Sequence, residues 1–225
     1  MLARVVVVEP FAENSWLVAC AETRAAALID PGGRVPELLA IAERSDLEIR
    51  AIWLTHAHID HIAGVAEAVE ATAAPVYLHP GDRPLYDAVA QQGAMFGLRV
   101  AVPPPPDHAL RAGDTLRLGR LQAQVLHVPG HAPGHVAFWL REQATVLSGD
   151  CLFAGSIGRT DLPGGSYATL MDSLHRVLLP LGDDTRVLPG HGPETTIGRE
   201  RRSNPFLTGL PVEPGARLRQ RDGQG

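Results

Sequence analysis

Two cysteines, Cys20 and Cys151, are the only thiols in 225 residues. A secreted domain held by disulfides carries more, so a reducing compartment is the simpler expectation. No apolar stretch approaches the length of a membrane span. The N-terminal run Val5–Val8 is closed by Glu9 and is too short for a signal-peptide core. Positive charge is in short supply as well: 20 Lys+Arg stand against 25 Asp+Glu, a net charge of -5. That balance gives no electrostatic reason to expect nucleic acid or an anionic membrane as partner. No repeat of solenoid length occurs, and no Gly-x-Ser-x-Gly elbow marks a serine hydrolase. What remains is the expectation of a cytoplasmic protein, to which a small substrate could still bind. An anionic substrate would need local positive charge from a metal or an arginine.

What is present fits a soluble globular protein. Hydrophobic residues make up 45% and charged residues 20%, and a chain of this length can bury a substantial core. Val5–Val8, Trp16–Ala19, Ala26–Ile29, Ala51–Leu54 and Val76–Leu78 read as short strands. Val35–Arg44 and Ala63–Ala71 read as helices, and Asp30-Pro31-Gly32-Gly33 as a turn. Residues 79–113, with the four prolines Pro103–Pro106, are less regular. Leu116–Leu118, Gln122–Val128, Val136–Leu140, Thr145–Leu147 and Arg186–Leu188 form a second run of strands. Ser166 is a plausible N-cap for a helix running towards Leu179, with Leu170, Met171, Leu174, Val177 and Leu178 on one face. Two runs of strands flanked by helices suit an α/β sandwich. The domain is expected to span residues 1–206. The breaker-rich segment 207–225 is expected to form a poorly ordered tail.

The chemistry concentrates in Thr55-His56-Ala57-His58-Ile59-Asp60-His61, directly after the apolar strand Ala51–Leu54. Residues two apart in an extended chain point the same way, so His56, His58 and Asp60 can project together. His61 follows where a helix begins. Three imidazoles and a carboxylate in six residues suit zinc or iron, and gathering them near a core without a partner would be costly. His131, Asp150 and His191 each follow a short apolar strand and small turn residues, in VPGH, SGD and LPGH. Strand ends gathered at one sheet edge are where a site is easily built.

The segments THAHIDH, VPGHAPGH, SGD and LPGHG, in that order, resemble the metallo-β-lactamase superfamily from about Val5 to Phe206. The resemblance implies a four-layered αβ/βα sandwich with the site at one edge. It implies His56, His58 and His131 for a first metal, Asp60, His61 and His191 for a second, and Asp150 as the bridge. Asp30–Gly33, Met95–Gly97, Gly158–Asp161 and Ser203–Phe206 are similar to short glyoxalase II-like hydrolases. Only 34 residues follow His191, so the C-terminal helical domain of glyoxalase II is expected to be absent. The implied activity is hydrolysis of S-lactoylglutathione-type thioesters with two divalent ions, zinc first and iron or manganese as alternatives. Two metals could lower the pKa of a shared water, Asp60 and Asp150 would orient it, and a thiolate could leave without a strong acid.

Persulfide dioxygenases resemble the sequence too, including its Gly-Arg-Thr-Asp loop. They would use one iron on His56, His131 and Asp150. A lactonase, a phosphodiesterase or a β-lactamase on the same scaffold is a further alternative. Cys151 reads as a buried inert thiol and Cys20 as core. His135 reads either as a second-layer donor or as a structural hydrogen bond. Arg159 and Asp161 read as an ion pair or as a contact for a substrate carboxylate. His79, His108, His127 and His175 lack ligand-like context.

Overall fold

The computed structural model describes residues 1–209. Its first sheet holds β1 (Leu2–Val8), β2 (Glu13–Ala19), β3 (Ala25–Ile29), β4 (Glu48–Trp53), β5 (Val76–Leu78) and β6 (His108–Ala109), in that spatial order. The next strands are β7 (Thr115–Leu118), β8 (Leu121–His127), β9 (Val136–Leu140) and β10 (Thr145–Gly149). A hairpin of β11 (Leu152–Phe153) and β12 (Ser156–Ile157) precedes β13 (Arg186–Pro189) and β14 (Thr195–Thr196). The second sheet is ordered β14-β13-β10-β9-β8-β7.

The period-2 rule assigns every layer. On β2, Trp16 and Val18 face the second sheet while Leu17 and Ala19 face helices; Ala27 and Ile29 alternate with Ala26 and Leu28, and Trp53 with Ile52. On the second sheet Phe138, Leu147 and Leu188 point inward, and Ala137, Val146 and Val187 point to the opposite helices. The three cores so defined make the expected four layers. Helices α1 (Val35–Arg44), α2 (Ile59–Ile62), α3 (Val65–Thr72), α4 (Arg83–Asp87) and α5 (Val89–Met95) lie on the first side. Helices α6 (Tyr167–Ser173), α7 (Ile197–Ser203) and α8 (Pro205–Thr208) belong to the second side.

Ser166 does cap α6, accepting a hydrogen bond from the Thr169 N–H at 3.3 Å. The helix does not run unbroken to Leu179. A wide turn over Leu174–Leu178 and a tight one over Leu179–Leu181 replace its last part. Pro180 lacks the N–H that a continuing helix needs. Its apolar stripe is nonetheless as read, with Leu170, Leu174 and Leu178 fully buried. Within 79–113, α4 and α5 are too short to print a clear period. Residues 207–208 complete α8, and Leu207 packs on the outer core; the rest of the expected tail, 210–225, lies outside the described residues. Among the described residues no helix is long and apolar enough to cross a membrane.

Strand direction places the site. β8 and β10 are each antiparallel to β9, and β13 is parallel to β10. All three therefore run the same way and end at one edge. Across that edge the Val136 N–H donates to the Thr55 carbonyl at 2.8 Å, and the Trp16 Nε1–H to the Pro189 carbonyl at 3.0 Å. These bonds bring the loop after β4 against the start of β9, beside the end of β8, and β2 against the end of β13.

Candidate metal centre

All seven residues singled out in the sequence meet at this edge. His58 Nδ1 lies 2.8 Å from His131 Nε2, which lies 3.2 Å from His56 Nε2. Nitrogens around one tetrahedral zinc stand about 3.3 Å apart, given bonds of about 2.0–2.1 Å. A second group forms beside it: His191 Nε2 is 3.1 Å from Asp60 Oδ2, and His61 Nε2 is 3.7 Å from the same oxygen. Asp150 lies between the groups. Its Oδ2 is 3.5 Å from His131 and 3.4 Å from His191, and its Oδ1 is 3.3 Å from His61.

Electrostatics divide the two groups. Burial, then neighbouring imidazoles, holds His56 well below its usual pKa; the same causes bring His58 to about 4, and burial lowers His131. These rings are neutral at neutral pH, with lone pairs free. In the second group burial opposes charge on His191, but Asp150 and Asp60 outweigh it and push the ring up to about 10. His61 is raised by the same two carboxylates against its burial. Asp60 and Asp150 are held below the usual carboxylate range, because His61 and His191 outweigh burial.

The donor set fits two cations. His61 Nε2 and Asp150 Oδ1 are buried with no hydrogen-bond partner, an arrangement costly unless a cation completes it. The ligand-type atoms of His56, His58 and His131 lie within 4.8 Å of one another, as do those of Asp60, His61, Asp150 and His191.

The supporting layer was less legible in the sequence. Asp30 sits in the left-handed region at φ 49. It accepts hydrogen bonds from the Thr55 N–H at 2.7 Å and the Thr55 hydroxyl at 2.6 Å, and its Oδ2 lies 3.0 Å from His61 Nδ1. It thereby aims His61 Nε2 at the site. Asp82 accepts from the N–H groups of Ala57 and Gly134, tying the two ligand loops together. Glu13 is wholly buried; burial pushes its carboxyl well up, with His61 opposing and Asp30 adding. The sequence offered no signal for Glu13 or Asp82. Cys151 is buried and its thiol pushed far up by burial, as an inert core residue should be. Cys20 is buried in the inter-sheet core. His79 stacks on His127 and His108 on Tyr77, away from the centre, and His175 is exposed.

The loop after β12 packs directly on Asp150. A Cβ on Gly158 would fall 1.8 Å from the Asp150 carbonyl oxygen. Gly158→Ala is therefore expected to lower the melting temperature by about 6 °C or more and to reduce bound metal; calorimetry and elemental analysis check this.

The model of the metallo-beta-lactamase superfamily matches residues 8–191. The chain belongs to the metallo-β-lactamase superfamily. Within it, the chain is 38% identical over 209 residues to hydroxyacylglutathione hydrolase GloC of Haemophilus influenzae, covering 92% of this chain and 98% of that one. The solved structure of TTHA1623 in a di-iron-bound form is similar at 50% identity and TM-score 0.83, over 91% of this chain and 100% of the other. That of ETHE1 from Myxococcus xanthus is similar at 33% identity and TM-score 0.76, over 93% and 85%. This member of the superfamily is accordingly a hydrolase of the metallo-β-lactamase type, with a His/Asp centre suited to divalent metals.

Proposed function

We propose that this hydrolase cleaves S-lactoylglutathione-type thioesters to a hydroxy acid and a thiol, with His56, His58, His131, Asp60, His61 and His191 as ligands of two ions and Asp150 as their bridge. The observation that carries the reading is the position of Asp150, with one carboxylate reaching both ligand groups. The similarity to GloC along nearly the whole chain supports the substrate class. Two divalent cations, zinc by ligand type with iron or manganese as alternatives, supply a water of lowered pKa and a Lewis acid for the carbonyl.

The chain's own groups do the rest. Asp60 stays ionised beside His61 and His191, so its Oδ2 can accept a hydrogen from the attacking water and set its direction. A thiol of pKa about 8.5 leaves readily as thiolate, so no strong general acid is needed.

Arg159 can meet the thiol half. His131 Nδ1 donates to the Arg159 carbonyl at 2.8 Å, which fixes this residue beside the centre. The guanidinium gives Nε and one Nη to Asp161, both at 2.7 Å. Its other edge, at Nη1, makes no hydrogen bond among the described residues and suits a carboxylate. Arg159→Ala is expected to raise KM for S-lactoylglutathione about tenfold with kcat little changed. A fall in kcat at constant KM would remove Arg159 from substrate binding.

A second reading rests on one subset of distances. His131 Nε2 lies close to both His56 Nε2 and Asp150 Oδ2, at 3.2 and 3.5 Å, so these three could hold a single iron for persulfide oxidation. Two assays on one metal-replete preparation decide between them. Thioester cleavage with two metals per chain is expected. Oxygen consumption with glutathione persulfide, one iron and no thioesterase activity would replace the proposal.

A further inference from the structure

Asp150 stands at a break in its strand. The pairing of β10 with β13 shifts register between Leu147 and Gly149, and Gly149 adopts φ 49. The break turns the chain so that the Asp150 carboxylate enters the centre, but it also removes the Asp150 N–H from the sheet ladder. A wholly buried imidazole receives that N–H: Asp150 N donates to His135 Nε2 at 3.0 Å.

His135 is fixed from several sides. Its ring stacks on that of His56, with centroids 4.8 Å apart and planes at 25°. Its carbonyl accepts from the Val128 N–H at 2.9 Å, closing the loop that carries His131. Gly149 leaves the ring its space, since a Cβ there would fall 2.8 Å from His135 Nε2. The neutral ring has a single proton. With Nε2 accepting, that proton is on Nδ1, which is buried and makes no hydrogen bond. Neither nitrogen then has a lone pair to offer a metal, so this histidine beside the seven ligand-type residues is not itself a ligand.

We infer that His135 is a positioning residue: by accepting the Asp150 N–H through Nε2 it holds open the break after β10 and sets the bridging carboxylate between the two metal positions. The inference rests on the proposed binuclear centre. It also explains why the side chain must be an acceptor at the Nε2 position. Glutamine places its amide oxygen near that point, whereas asparagine reaches only to the position of Nδ1 and phenylalanine offers no acceptor.

The test titrates metal-free protein with Zn2+ against a chromophoric chelator, for wild type and for His135→Gln, His135→Asn and His135→Phe. Manganese-loaded samples are compared by electron paramagnetic resonance, where coupling between the two ions reports the bridge. His135→Gln is expected to keep metal affinity within about threefold and to keep the coupled spectrum. His135→Asn and His135→Phe are expected to lose about 10–100-fold in affinity and to show uncoupled manganese. If the phenylalanine variant fails to fold, the glutamine–asparagine contrast decides alone. Wild-type affinity and coupling in the asparagine variant, or equal loss in glutamine and asparagine, would overturn the role of His135. Wild-type protein that takes up no metal would instead overturn the binuclear centre.

Discussion

Asp60→Asn is expected to lower thioesterase turnover by about a hundredfold or more, while the melting temperature of the metal-free protein moves by a few degrees at most. The amide keeps the shape of the side chain and removes its charge. That charge has two uses here: it faces His61 and His191 in the second ligand group, and its Oδ2 is placed to direct a water. The amide oxygen can still accept the hydrogen bond from His191 Nε2, so the fold keeps this contact. His131→Ala tests the opposite limit. His131 approaches His56, His58 and Asp150 at once, so its loss should abolish either a thioesterase or an oxidase. Steady-state assays with S-lactoylglutathione, together with scanning calorimetry, check both variants. An Asp60→Asn enzyme with the wild-type rate would sink the binuclear proposal.

Metal uptake should separate into a step indifferent to pH and a step steeply dependent on it. His56, His58 and His131 all have lowered pKa values, so above about pH 6 a cation entering this group displaces few protons. His61 and His191 are raised, His191 to about 10, so both carry protons at neutral pH. A cation bound there must release them, and its affinity rises with pH by about tenfold per unit for each proton released. The slope flattens only as pH passes the raised pKa of His191. Metal-free protein at pH 6 is expected to bind one equivalent of Zn2+ tightly and a second weakly; at pH 8.5 both should bind tightly. Isothermal titration in buffers of different ionisation enthalpy measures the protons released at each step. Equal proton release at both steps, or none at the second, would refute the assignment of ligands to the two groups.

The ligands were readable because each has a local cause. Every one follows a strand of apolar residues whose burial demands a packed sheet, and the HxHxDH spacing leaves little but metal to reconcile so many polar groups. The strand runs gave only an α/β sandwich, and the four layers came from the family resemblance; the alternation of β2, β3 and β4 between two cores shows itself only once the sheets are packed. Asp30 shows where the sequence falls short. Its turn was evident, but its contact with Thr55 depends on β3 lying parallel to β4, with Ile29 opposite Trp53. Only that register brings residues 30 and 55 together. Asp82 and Glu13 have the same character: each binds backbone or side chains far away or folded back, and neither sits in a recognisable pattern. Helices α4 and α5 escaped because five and seven residues complete too few turns to show a stripe.

The ligands are divided between the halves of the chain in a way that bears on synthesis. The first half carries His56, His58, Asp60 and His61; the second carries His131, Asp150 and His191. Each of the two ligand groups draws on both halves. A chain emerging from the ribosome as far as β6 owns most of the ligand histidines yet can complete neither group. His191 is the last to arrive, and it is fixed by the Ala12 carbonyl near the other end of the chain, with Nδ1 at 3.2 Å. A complete centre therefore requires that the start of β2 and the end of β13 have met. On the proposed binuclear reading, nascent and truncated chains lack the paired ions, and a reactive hydrolase exists only where a whole domain has closed.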